Sequence, residues 1–181
     1  MQDNTNQEYD TAIASCREVF INKTKDYGTS WRVYRTISIA DQIYIKARRI
    51  RTIQENRAQK IDDHIVDEFR GILNYAIIGL IQADINNDDH EDLHVDVVQK
   101  MYDEKVAIAK KLMLDKNHDY DEAWRSMSQE SFTDLILAKV LRIKKIISND
   151  GKTVISEGIE ANLFDIINYA AFVLILSEKQ K

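Results

Sequence analysis

The feature that most narrows what this chain can fold into is that it is written twice. A shift of 93 residues lays Tyr9-Asp10 on Tyr102-Asp103, Lys23 on Lys116, Asp26-Tyr27 on Asp119-Tyr120 and Trp31-Arg32 on Trp124-Arg125. The same shift sets Ser38 on Ser131, Asp41 on Asp134, Lys46 on Lys139, Arg49 on Arg142 and Ile50 on Ile143. After one inserted residue the match resumes, with Asn74-Tyr75-Ala76 against Asn168-Tyr169-Ala170. A register held this long with a single insertion marks a tandem duplication, so the two halves must share one local fold.

Each copy reads as three helices. The 181 residues include no proline and five glycines, so little in the chain forces a helix to stop. Apolar spacing predicts a first helix over 8–23 and 100–116, a second over 39–54 and 132–148, and a third over 61–83 and 155–178. The repeated DY…WR phrase falls in the loop between the first and second helices. Ser38 with Asp41, and Ser131 with Asp134, have the spacing of a capping box at the start of the second helix. Asn149-Asp150-Gly151 has the turn chemistry to end its second copy. The apolar stretch NYAIIGLI would be left exposed on an isolated three-helix unit. The expected fold is therefore all-α, a tandem repeat of two three-helix units (1–83 and 100–181) joined by an acidic linker (84–99). The units are expected to pack through their third helices into one compact helical domain.

The net charge of −5 argues against general affinity for nucleic acid backbones or anionic membranes. The basic run Lys46, Arg48, Arg49, Arg51, Arg57 reads as a solvated helix face rather than a nucleic-acid interface. The N-terminal residues lack the pattern of a signal peptide, and no run approaches the roughly 18 uninterrupted apolar residues of a membrane span. The lone Cys16 allows no internal disulfide and reads as a small buried residue. These readings together predict a cytoplasmic protein. The formal HExxH match His90–His94 lies in the acidic linker, where no apolar face would hold a zinc-binding helix, and is read as linker.

Two patterns carry candidate chemistry. On the last helix Glu157, Glu160, Asp165 and Asn168 fall within an arc of about 140°, opposite Ile159, Leu163, Ile166 and Ile167. Oxygen ligands in such a row suit magnesium, which keeps several waters and binds substrate phosphates; the plainer reading is the wet face of an amphipathic helix. On the second helix Lys139 and Arg142 stand one turn apart and recur as Lys46 and Arg49, a pairing suited to phosphate. The first copy sets Val66 and Gly71 against Glu160 and Asp165, so one composite site centred on the second copy is expected.

The phrases K-x-x-D-Y-x-x-x-W-R and D-x-x-x-x-K-x-x-R, with SEGIEANLFDIINYA, resemble the nucleotide modification associated domain family in its tandem form, over nearly the whole chain. The helical pattern is more distantly similar to the all-α, MazG-like nucleoside triphosphate pyrophosphohydrolases. The resemblance implies a nucleotide, nucleoside phosphate or modified base as ligand, bound between the two repeats, and magnesium held by acids on two neighbouring helices. Asn162 and Asp165 match the second of those acidic clusters, while the preceding helix offers Asp134 alone. The expected catalytic and magnesium-holding residues are then Glu157, Glu160 and Asp165. The expected substrate-binding residues are Tyr120, Trp124, Arg125, Lys139, Arg142 and Asn168, with Lys46 and Arg49 from the first copy. The other reading is a non-catalytic helical interaction module. In it Arg32 and Arg125 pair with acids or cap carbonyls, the aromatics pack across the loops, and the NYA asparagines bridge helices. Self-association into a homodimer stays open in both.

Overall fold

With no proline to stop them, the first and second helices of each copy run beyond the span their apolar spacing marks out. A computed structural model of the chain describes residues 2–56, 64–85 and 90–178. It forms α1 (Gln2–Tyr27), α2 (Thr36–Asn56), α3 (Ile65–Asp84), α4 (Val95–Tyr120), α5 (Gln129–Ser148) and α6 (Ile159–Glu178), with no strand among the described residues. Short 3-10 helices, Ser30–Val33 and Ala123–Ser126, lead into α2 and α5. The all-α tandem fold expected from the repeat is what the chain adopts.

The differences lie at helix ends. The Asp-Tyr halves of the repeated phrase belong to the last turns of α1 and α4, and only Trp-Arg lies in the connection. Helix α6 starts at Ile159 rather than 155, leaving Val154 and Ile155 almost fully exposed in the preceding turn. The expected start of the third helix at Ile61, along with Arg57 of the basic run, lies outside the described residues. The expected capping boxes do not form. Ser128 is the N-cap of α5, its hydroxyl accepting from the Ser131 backbone N–H, so Ser131 and Asp134 already sit inside the helix. Asp134 and Asp41 instead reach across the copies, Asp134 to Arg51 (3.4 Å) and Asp41 to Lys144 (2.6 Å).

Helices α2, α3, α5 and α6 form the central layer, α3 against α6 and α2 against α5, while α1 and α4 each lie across both α3 and α6. Phe69, Ile72, Leu73, Ile77, Leu80 and Ile81 of α3 are almost wholly removed from water, as are Ile166, Ile167, Val173 and Leu174 of α6. Helix α6 has the length and hydropathy of a membrane span, but 67% of that window is buried inside this bundle. Cys16 is buried as expected, and burial pushes its thiol up to about 12.

Polar ties through the core lock the two copies crosswise. Tyr9 of α1 donates its hydroxyl to Asn168 Oδ1 of α6 (2.8 Å), and Tyr102 of α4 donates to Asn74 Oδ1 of α3 (2.9 Å). Each asparagine donates in turn to a backbone carbonyl of its own copy's first helix, Asn74 to Cys16 and Asn168 to Ala109, both at 3.0 Å. Cys16 and Ala109 are equivalent under the repeat, so the contacts are reciprocal, as across a two-fold axis. On the rim Arg17 pairs with Asp103 (2.6 Å), and Asp10 with Lys110 (2.7 Å), by the same reciprocity. Removing one tyrosine hydroxyl leaves a buried asparagine oxygen without its donor. Tyr9→Phe and Tyr102→Phe are therefore each expected to lower stability by about 1–3 kcal/mol in urea denaturation, with the slope unchanged.

Candidate anion-binding sites in the two copies

Each copy turns basic side chains toward an acid on its third helix, but the acid differs. In the first copy Glu68 of α3 accepts from Lys46 (3.1 Å) and from Arg49, both on α2. In the second, the two oxygens of Asp165 on α6 are taken by Lys116 of α4 (2.6 Å) and Lys139 of α5 (2.5 Å). With Asn74 set on Asn168, Glu68 falls on Asn162 and Gly71 falls on Asp165. The counter-ion has moved by about one helical turn, and with it the cation left over. Lys23, equivalent to Lys116, has no acidic partner among the described residues, and neither has Arg142, the counterpart of Arg49.

Burial raises the pKa of Asp165, but the hydrogen bonds and charges of Lys116 and Lys139 outweigh it and hold the carboxyl below its ordinary value. The side chain is 11% exposed and that of Lys139 is 13% exposed, while that of Lys116 reaches into solvent at 56%.

Most residues of the repeated phrase serve the architecture. Trp124 is buried, stacks on Phe172 with centroids 4.2 Å apart, and donates Nε1–H to Asn117 Oδ1 at 3.1 Å. Arg125 lies over the Trp124 ring and binds Glu8 (2.8 Å), Glu122 and Thr5, tying the second loop to α1. Arg32 ties the first loop to the end of α3 through Gln82 and the Ile85 carbonyl, and to the linker through the His90 carbonyl. Tyr120 is exposed, and Asn168 is spent on the core tie.

Among the described linker residues, those at 90–93 are docked on the first loop. Thr29 donates its backbone N–H to Asp92 Oδ1 (3.0 Å), and its hydroxyl accepts from the Leu93 N–H (2.9 Å). Gly28 sits at φ +62, a conformation that favours glycine, and a Cβ there would lie 2.6 Å from Asp92 Oδ1 and push that side chain aside. Asp121 takes the left-handed conformation at the equivalent place, which a short polar side chain tolerates. His94 caps α4, its Nδ1 accepting from the Asp96 N–H at 3.3 Å.

The proposed magnesium ligands do not assemble. Glu157 and Glu160 are exposed, and among the described residues no three His, Cys, Asp or Glu side chains are gathered closely enough to hold a metal ion. Asp165, with an ammonium group on each oxygen, does not fit as a ligand.

Two cavities adjoin the two ion clusters, each lined by one copy rather than by both as expected for a composite site. One, of about 390 Å³, is lined by Lys23, Trp31, Tyr34, Lys46, Gly71 and Tyr75 among others. The other, of about 510 Å³, lies between α5 and the turn over 149–158 and is lined by Lys139, Arg142, Lys145, Lys152, Glu157 and Asn162 among others. Of the expected substrate-binding residues, Lys139 and Arg142 share the second cavity. Lys145 and Lys152 were not singled out by the sequence because neither has a basic counterpart at that place in the first copy.

A family model described as nucleotide modification associated domain 1 matches the chain twice, over residues 23–83 and 116–176, at the offset of the repeat itself. No curated protein and no solved structure matches.

The Asp165 cluster has a pH signature. Because the folded-state pKa lies below the unfolded value of about 3.9, its contribution to stability is complete above about pH 5 and is lost as the pH falls through the lowered value. Asp165→Asn is expected to cost about 2–3 kcal/mol at pH 7, less than a fully buried pair would because Lys116 keeps its water. The gap between wild type and variant should narrow on acidification, as read by urea denaturation at a series of pH values.

Proposed function

The chain belongs to the nucleotide modification associated domain 1 family, and from that premise we propose that it binds a nucleotide or nucleoside phosphate in the cleft between α5 and the 149–158 turn. One observation carries the reading: beside Lys139, whose charge Asp165 takes, Arg142, Lys145 and Lys152 line one cleft, and none of these three has an acidic partner among the described residues. A phosphate chain is the ligand such a surplus favours, with the guanidinium fork binding two oxygens at once and the lysines acting as point charges. The volume of about 510 Å³ is that of a small-molecule site. Val154 and Ile155, exposed on the turn that lines the cleft, offer apolar contact to a base, and the side-chain oxygens of Asn149 and Asn162 offer acceptors to it.

This is a proposal of binding. Glu157 is the one acid among the residues lining the cleft, so metal-assisted hydrolysis finds no cluster of carboxylates to support it there. The interaction-module reading draws support from a different observation: Arg32, Arg125, Asn74 and Asn168 are all engaged in ties between helices and loops. It leaves the free Arg142 without a task.

Isothermal titration with ATP and with inorganic pyrophosphate separates the two. Phosphate-chain binding is expected for the wild type. Arg142→Ala and Lys152→Ala, both at exposed positions, are each expected to weaken it by about tenfold or more, close to 1.4 kcal/mol, with thermal unfolding unchanged. No heat from the wild type with either ligand would leave the module reading standing.

A further inference from the structure

We infer that the first copy holds a second site, separate from the cleft above, for a small planar aromatic molecule bearing a carboxylate or a phosphate monoester. Its anion would bind beside Lys23 and Lys46, the counterparts of the two lysines that hold the Asp165 carboxylate in the second copy. The two copies present the same frame: Lys23, Trp31, Lys46, Asn74 and Tyr75 correspond to Lys116, Trp124, Lys139, Asn168 and Tyr169. In the second copy Asp165 joins Lys116 to Lys139 and fills the space between them. In the first, Gly71 stands at that position, and a cavity of about 390 Å³ opens with Lys23, Lys46 and Gly71 in its wall.

The cavity wall carries charge. A Cβ on Gly71 would lie 2.9 Å from Lys46 Cε, so the lysine stem runs over the bare backbone where a side chain would be. Lys46 is paired with Glu68 at 3.1 Å, and Lys23 has no acid among the described residues. Asp67, the acid in the cavity wall, is already paired with Arg70 at 2.5 Å.

The tryptophans differ in the same sense. Trp124 has its Nε1–H bound by Asn117 and its face covered by Phe172. Trp31 is only 7% exposed, yet its Nε1–H has no partner among the described residues. Thr24 stands where Asn117 would and gives its hydroxyl to the Phe20 carbonyl at 2.9 Å, and Ile78 stands where Phe172 would. A buried N–H without an acceptor is costly, and a ligand acceptor would relieve it. Trp31 has Phe20 tilted against it at 6.4 Å where its twin has a stacked ring, and a cavity lined by its edge together with Phe20, Tyr27, Tyr34 and Tyr75 suits a planar ring rather than an aliphatic chain.

The chain has two tryptophans, so the ¹⁵N-labelled full-length protein gives two indole N–H signals, which Trp31→Phe assigns. The probes are AMP as the phosphate monoester, nicotinate as the aromatic carboxylate, and adenosine and inorganic phosphate as the two halves. The Trp31 signal is expected to shift with AMP or nicotinate while that of Trp124 stays. Which of the two shifts it assigns the anion, and adenosine and phosphate alone should bind at least tenfold more weakly. Gly71→Asp, which installs the anion of the second copy, is expected to abolish the shift, and Lys23→Gln, at an exposed position, to weaken binding about tenfold. Arg142→Ala is expected to leave the Trp31 titration unchanged, which keeps the result distinct from the fate of the second-copy cleft. No Trp31 shift with either anionic probe would overturn the inference, as would an unaltered titration in Lys23→Gln or in a folded Gly71→Asp. Loss of the shift in Arg142→Ala would also overturn it by assigning the binding to the other copy.

Discussion

Everything else in the fold hangs on two buried tyrosine hydroxyls that cross from one copy to the other. Tyr9 and Tyr102 are wholly removed from water, and each donates to an asparagine on the third helix of the opposite copy. Because each asparagine also donates to the first helix of its own copy, one side chain fixes three elements at once. A buried amide tolerates no slippage, since a shift of one turn would leave donors and acceptors unpaired in a medium that cannot replace them. The apolar surface between α3 and α6 supplies the driving force, and the Tyr–Asn ties select the one register in which both copies are satisfied.

On this rigid frame the copies have diverged through small changes beside the ties. Moving a carboxylate from the Gly71/Asp165 position to the Glu68/Asn162 position leaves the count of charges alone but alters which cation is free. In the second copy the surplus lies with Arg142, toward the turn after α5. In the first it lies with Lys23, toward Trp31. Two cavities of different chemistry then adjoin one repeated scaffold, the first with an aromatic share that the second lacks and the second richer in cations.

The architecture was legible because its signals are additive along the chain. The 93-residue register, the missing proline and the helical spacing all agreed, and no long-range contact was needed to read them. Helix ends were less legible. Ser131 and Asp134 have capping-box spacing, yet Ser128, with no Glu or Gln three residues on, takes the cap, and Asp134 is drawn to Arg51 on the other copy. The repeated identity of Arg32 and Arg125 hid a difference, since one ties its loop to α3 and the linker and the other ties its loop to α1. The acidic stripe was misleading for a related reason. Helical spacing put Glu157 and Asp165 on one face, but α6 begins only at Ile159, and the lysines of α4 and α5 claim Asp165.

By itself the sequence determined the duplication, the all-α class, the three-helix unit and the partnership of Lys139 and Arg142 on one helix face, because these follow from periodicities that one chain segment carries alone. Only the tertiary structure decided which charges cancel. Lys116 and Asp165 are 49 residues apart, and Tyr9 and Asn168 are 159 apart. Whether such groups meet depends on how the helices cross and not on anything local. The difference between a neutralised acid and a free cation, and so between a structural contact and a binding site, arises there.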